Sequence, residues 1–326
     1  MISIILPFKN AEPWIAETID SILAQSYKDW ELICINDHST DSTALIVTGY
    51  SNKHENIQLL NNKEQGIIPA LQLGLKSSLG KYITRMDADD LMPPFRLEKM
   101  LSAMESSPPK TIITGKVSYF SDSKISEGYN KYQKWLNDRV DHQDHYKHIY
   151  RECVVASPNW LARKKELSKF LIFDRLIYPE DYDMTFHWYS NDFKIVGLDE
   201  ITLYWREHPQ RTSRNSSTYD QDSFFKLKSQ WFLKLNEIKN QSVAILGAGQ
   251  KGKFVAQYLQ KEDIHFNWYD LNHINFNNSV YGQSIKDPEK LSGDVIIVCI
   301  YPEKLNILSN YLESRGYSIG INAWYF

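Results

Sequence analysis

The chain has 326 residues, 42% hydrophobic and 24% charged, with a formal net charge of -3. That length supports a full-size core and two domains, and the balance is globular, not disordered. The small negative charge excludes a nucleic-acid binder driven by bulk charge, and no apolar stretch approaches the ~20 residues of a membrane span.

Strands and helices alternate from the start. Ile2 to Leu6 reads as a strand rather than a signal peptide, since it lacks a basic region and a small-residue cleavage site. Trp14, Ile15, Ile19, Ile22 and Leu23 recur at helical spacing behind Pro13. Glu31 to Asn36 is a second strand ending at Asp37, and Ser39, Thr40 and Asp41 offer caps for the next helix. A strand over Ile57 to Leu60, a helix over Ile67 to Ser77 and a strand over Tyr82 to Met86 follow. This βαβα order predicts a doubly wound α/β sheet, in which ligands sit beyond the carboxyl ends of the strands. Asp37 and Asp87 both fall there.

The middle is less regular. It holds a strand at Thr111 to Thr114, a helix over Asp181 to Ser190, and two strands at Phe193 to Val196 and Ile201 to Arg206. The stripe Phe224, Leu227, Trp231 and Leu235 closes a first domain over residues 1–238. A second α/β domain spans residues 239–326, with strands at Val243 to Leu246, Phe266 to Tyr269 and Val295 to Ile300. Cys34, Cys153 and Cys299 lie far apart and read as buried thiols of a reducing compartment, which argues against disulfide or zinc use.

Asp87-Ala88-Asp89 ends the fourth strand, and Pro93 and Pro94 then reset the chain for a helix. Carboxylates two apart at a strand mouth can share one hard divalent cation, with substrate phosphates completing its shell. Short acidic runs also cap helices, so the triplet needs its context.

That context carries a family likeness. Ile2 to Asn10, Thr18 to Ser26, Asn36 to Thr43, Asn62 to Leu75, Asp87 to Asp90, Pro179 to Asp183 and Tyr204 to His208 resemble, in order, the motifs of family-2 glycosyltransferases with the GT-A fold. The likeness covers about residues 1–235. It implies a GT-A doubly wound mixed sheet and a nucleotide-sugar donor. It further implies that Asp37 accepts a hydrogen bond from the uracil imide, the alternative being a cap on the following helix. Pro7 and Asn10 would shape the pocket floor beside base and ribose. Asp87 would meet the ribose and Asp89 a Mn²⁺ or Mg²⁺ ion, while Asp90 would cap the helix after Pro93. Arg85 would pair either with these acids or with a phosphate. Asp181 would be the general base, with Glu180 a supporting contact. Arg206 and Arg211 would face the phosphates, and His208 either the metal or the diphosphate. Arg211 to Ser217 would form a lid.

Departures from the pattern occur at Ile68-Pro69-Ala70, where the helix start is expected to differ, and at Pro158-Asn159-Trp160, where Trp160 stacks on an acceptor sugar or fills the core. His142, His145 and His148 step by three and read as a polar helix face near the acceptor groove rather than a zinc site.

Gly247-x-Gly249-x-x-Gly252 follows a strand, opens a helix and precedes Asp270, the context of a dinucleotide fingerprint. The unit resembles the small Rossmann-like modules appended to some bacterial sugar-processing enzymes. The preferred reading is a tight turn used for packing or homo-oligomer contacts, and the alternative an anion or nucleotide at the helix N-terminus.

The function expected is therefore an inverting, metal-dependent glycosyltransferase, using a UDP-sugar and a glycan or lipid-linked acceptor in bacterial surface polysaccharide synthesis. It would be cytoplasmic, with room for peripheral contact at the inner face of the plasma membrane. The competing readings are a dinucleotide-dependent oxidoreductase run by the C-terminal module and a non-catalytic sugar-nucleotide scaffold.

Overall fold

A computed structural model describes residues 1–169, 173, 176–236, 238–276, 279–300 and 305–326. Two compact units emerge, residues 1–145 with 154–215 and residues 146–153 with 216–326.

The first unit carries β1 (Ile2–Phe8), β2 (Trp30–Asn36), β3 (Ile57–Asn61), β4 (Tyr82–Arg85), β5 (Thr111–Phe120), β6 (Leu161–Arg163) and β7 (Lys194–Arg206). Its helices are α1 (Ile15–Leu23), α2 (Thr43–Ser51), α3 (Ile67–Ser77), α4 (Arg96–Glu105), α5 (Glu127–His142), α6 (Lys164–Lys169), α7 (Glu180–Ser190) and α8 (Thr212–Asn215). The strands form one mixed sheet in the order β3-β2-β1-β4-β6-β5-β7. β1 is buried along its whole length, as an apolar strand covered on both faces must be. It pairs in parallel with β2 on one side and β4 on the other, so Asp37 and Asp87 emerge from the same edge, flanking β1. α1 buries Ile15, Thr18, Ile19 and Ile22, the spacing of a single helical face. α3 approaches the sheet closely because Gly74 has no side chain: a Cβ there would lie 2.4 Å from Ile5 Cγ2. α3 starts at Ile67 behind Gly66, with no side-chain cap.

Several expectations change. The two strands expected over 193–206 are one, β7, paired with β5 through irregularities at Gly115 to Val117. The three histidines do not share a helix face. α5 ends at His142, Gln143 turns left-handed, and His145 is buried in a short 3₁₀ turn. Burial and Arg139 push the His145 imidazole down to about 4. Trp160 is fully buried, packs edge-on against Trp188 and donates to the Ser157 carbonyl, which makes it core rather than a sugar platform.

The second unit holds α9 (Gln221–Asn236), β8 (Val243–Leu246), α10 (Gln250–Lys261), β9 (Phe266–Tyr269), β10 (Ile285–Lys286), β11 (Val295–Val298), α11 (Leu305–Glu313) and β12 (Ala323–Tyr325). Its parallel sheet runs β10-β9-β8-β11-β12, the strand order of a Rossmann sheet short of its last strand. α9, whose stripe the periodicity assigns to the first domain, belongs by contact to this unit. Phe225 packs on Phe254 of α10 with ring centroids 4.9 Å apart. The glycine turn between β8 and α10 needs glycine twice. Gly247 has φ +114, and a Cβ on Gly252 would lie 1.9 Å from the Gly247 carbonyl oxygen. All three cysteines are free and buried, and burial pushes the Cys299 thiol up to about 12.

Candidate active site

The acidic loop after β4 is held from two sides. Beneath it, the buried Thr18 hydroxyl donates to the Ala88 and Asp90 carbonyls at 3.0 and 2.8 Å. Beside it, Leu91 and Tyr204 exchange backbone hydrogen bonds of 3.0 Å, which aligns the end of β7 with the loop. Arg206 then braces the loop. Its backbone N–H donates to Asp90 Oδ1 at 2.8 Å, its Nε to the Asp89 carbonyl at 2.7 Å, and its guanidinium also reaches Glu17. Asp90 is buried in this brace and does not cap α4, whose N-cap is Phe95. Burial, Asp89 and Asp87 together drive the Asp90 carboxyl well above the usual range.

Beyond Arg206 the chain turns back over the loop, and His208 Nε2 lies 2.8 Å from Asp89 Oδ2. Trp14 packs against the imidazole with ring centroids 3.9 Å apart. The two side chains expected at a metal thus converge from positions 119 apart in sequence. Among the described residues no group of three or more His, Cys, Asp or Glu side chains is arranged to hold a metal ion. One carboxylate and one imidazole do not make a closed protein site. They fit a cation that completes its shell with phosphate oxygens and water.

Arg85 ends β4 with its side chain buried. Nε donates to Asp87 Oδ1 at 2.6 Å and one terminal nitrogen to Glu180 Oε1 at 3.0 Å, so it pairs with the acids. Glu180 and Asp181 open α7 behind Pro179, where the helix macrodipole favours negative charge. Asp181 Oδ1 accepts the Tyr182 N–H at 2.8 Å. Burial, then Glu180, push the Asp181 carboxyl up to about 7, with Arg85 opposing. Burial also raises Asp87, against the pull of Arg85. A carboxyl titrating near neutrality suits a general base.

Asp37 does not cap α2, whose N-cap is Ser42. Its carboxylate instead accepts from Asn62 Nδ2 at 2.8 Å and from the Gly66 N–H at 3.0 and 3.1 Å, gathering the loop between β3 and α3. Pro7 lies within β1, and Asn10, at φ 51, ties its turn to the segment after Asp37 by accepting the Thr40 N–H at 2.8 Å.

Arg206 and Arg211, expected on phosphates, have protein partners. Arg211 bonds to Glu207 at 3.0 Å and sits over the Trp205 ring, while Arg214 pairs with the same buried Glu207 at 2.6 Å. Of the expected lid, the side chains of residues 212, 213 and 217 lie outside the described residues. Sequence reasoning missed Thr18, Glu17, Asn62 and Glu207. Thr18 left a signal: a hydroxyl on the apolar face of α1 must find a partner in the interior.

A profile of the family described as "Glycosyl transferase family 2" matches residues 3–170, just over half of the chain. The chain belongs to this family. The glycosyltransferase is 27% identical over 236 residues to an uncharacterized glycosyltransferase of Methanocaldococcus jannaschii, a match covering 71% of this chain and 79% of that one. It is 42% identical over 106 residues to the putative glycosyltransferase EpsE of Bacillus subtilis, covering 32% of this chain and 38% of the relative. Among solved structures, Staphylococcus aureus TarS residues 1–349 with UDP-GlcNAc superposes with a TM-score of 0.57 at 19% identity, over 80% of this chain and 72% of that one. The Pyrobaculum calidifontis mannosyltransferase PcManGT with GDP-Man and Mn²⁺ gives 0.54 at 18% identity, over 72% and 64%. At such identities these neighbours establish the GT-A fold of the glycosyltransferase.

Proposed function

We propose that this glycosyltransferase takes a sugar from a nucleotide-diphosphate donor, first among candidates a UDP-sugar, and places it on an acceptor hydroxyl with inversion. The observation that carries the reading is the convergence of Asp89 and His208 at 2.8 Å. Bound between them, Mn²⁺ or Mg²⁺ would stabilise the charge that develops on the leaving diphosphate. Asp37 retains acceptor capacity for the uracil imide beside Pro7 and Asn10, and Asp87 meets the ribose. Asp181 takes the proton of the attacking hydroxyl. One base with no evident nucleophile fits a single displacement. The UDP-GlcNAc held by TarS and the GDP-Man and Mn²⁺ held by PcManGT support donor and metal alike.

The acceptor we assign is a glycan or lipid-linked glycan of bacterial surface polysaccharide synthesis, met in the cytoplasm or at the inner face of the plasma membrane. No helix among the described residues is long and apolar enough to cross a membrane. For the C-terminal unit we favour packing or homo-oligomer contact over an oxidoreductase. Asp270 Oδ2 accepts the Ala248 N–H at 2.6 Å, so the acid that would meet a dinucleotide ribose is engaged with the glycine turn.

Thermal-shift screening of nucleotide sugars with Mn²⁺ or EDTA tests the donor reading, because a ligand of the native state raises Tm. Asp89→Asn should abolish the Mn²⁺-dependent shift. Asp181→Asn should keep it and lose transfer. Equal Mn²⁺-dependent shifts in wild type and Asp89→Asn would remove the metal assignment.

A further inference from the structure

We propose that Arg85 is a positioning residue: its guanidinium fastens the donor-side carboxylate Asp87 to the base-side carboxylate Glu180, so that the acidic loop and the first turn of α7 move as one piece. The inference rests on the donor and base roles proposed above, and it replaces the phosphate contact open to Arg85 from sequence.

Three features support it. First, the reach is long in sequence and short in space, since Arg85 and Glu180 are 95 positions apart and bonded at 3.0 Å. β4 pairs with β1 up to Ile5 opposite Arg85, so the guanidinium projects from an anchored strand end rather than from a loop. Second, Glu180 is 4% exposed and the Arg85 side chain 7%. A buried carboxylate that loses its cationic partner is strongly destabilised, so this pair is committed to its geometry. Third, the guanidinium is a planar fork whose donors have fixed spacing, and here Nε and a terminal nitrogen serve different acids. A lysine ammonium keeps the charge but cannot hold two carboxylates at a set separation.

The consequence for catalysis follows from placement. Asp181 is the neighbour of Glu180 in the same helical turn, so whatever fixes Glu180 fixes the base relative to Asp87. Displacing a reacting group by about 1 Å costs about 10²-fold in rate. Arg85 also sets the electrostatics there. Burial, then Glu180 and, more weakly, Asp87 raise the Asp181 carboxyl, and Arg85, with the Tyr182 N–H, opposes them.

The experiment uses full-length Arg85→Gln and Arg85→Lys variants. Release of nucleoside diphosphate is followed against pH in Mn²⁺, with whichever of UDP-N-acetylglucosamine and GDP-mannose raises the wild-type Tm. Arg85→Gln should lose about 10²-fold in kcat, and the acid limb of its profile should move to higher pH by on the order of one unit. Arg85→Lys should leave the limb in place while kcat still falls, because charge is kept and the fork is lost. A structural role alone would lower Tm in both variants and leave the Arg85→Gln limb unmoved. That result overturns the proposal, as does wild-type kcat in either variant. Should Arg85→Gln fail to fold, Arg85→Lys carries the test through kcat: kcat should fall about 10²-fold while Tm holds, and a loss of kcat that only accompanies a lowered Tm overturns the proposal. Asp181→Asn separates the two levels: full turnover there sinks the base assignment itself, whereas an inactive Asp181→Asn with an unmoved Arg85→Gln limb sinks only the role of Arg85.

Discussion

The position of Asp181 makes its rate dependence on pH calculable. Burial and Glu180 push its carboxyl up to about 7, against Arg85. As the proposed base it must be ionised to accept a proton, so below about pH 7 the competent fraction falls tenfold per unit, to about a tenth at pH 6 and about a hundredth at pH 5. An unperturbed aspartate, near 3.9, would stay almost fully ionised over that range and give a flat profile. Glu180→Gln removes the acid that raises Asp181 most, and its limb should move to lower pH by on the order of one unit. The assay is initial rate of nucleoside diphosphate release at donor well below KM from about pH 5 to about pH 9, since kcat/KM reports ionisation in the free enzyme. Stability supplies a second readout. Folding raises this carboxyl above its unfolded value, so its stabilising contribution is complete below that unfolded value and is lost as pH rises through about 7. Asp181→Asn should therefore melt above wild type at about pH 8, and the gap should close near pH 4. A wild-type rate flat between about pH 5 and pH 8, or an Asn variant melting below wild type at the upper end, would refute the reasoning.

Other expectations follow from single contacts. Thr18→Val strips the hydroxyl that α1 gives to the Ala88 and Asp90 carbonyls, and should cost about 1–3 kcal/mol in denaturant unfolding while weakening the Mn²⁺-dependent donor shift. Gly252→Ala forces a Cβ to within 1.9 Å of the Gly247 carbonyl oxygen and should destabilise the C-terminal unit by about 3 kcal/mol or more, read by calorimetry. Lys228 is buried between the rings of Phe225 and Phe326, and burial pulls its ammonium down to about 7. Lys228→Met should raise Tm most below about pH 7, where the folded chain must bury the charge, and the gain should shrink as pH approaches about 10, where the unfolded lysine also loses its proton.

Local chemistry decided much of this molecule. The apolar runs of β1, β2 and β4, the helical face of α1 and the glycine turn before α10 are each written in a few adjacent residues, because backbone geometry ties side-chain direction to spacing along the chain. The alternation of strand and helix also determined that Asp37 and Asp87 share an edge, since parallel strands beside β1 must end on the same side. Spacing was misleading where tertiary contact outweighed it. The stripe of α9 is periodic whichever unit covers it, and the three histidines are evenly spaced although a left-handed Gln143 ends their helix between the first and second. The pairings within the candidate site were left wholly to tertiary structure. Asp89 meets His208, Arg206 meets Asp90, and Arg85 meets Glu180 only because the Leu91–Tyr204 bridge and the start of α7 return distant chain to the end of β4. A carboxylate in sequence declares a charge but not a partner. Its partner is whichever group the fold carries within about 3 Å, and periodicity holds no record of that distance.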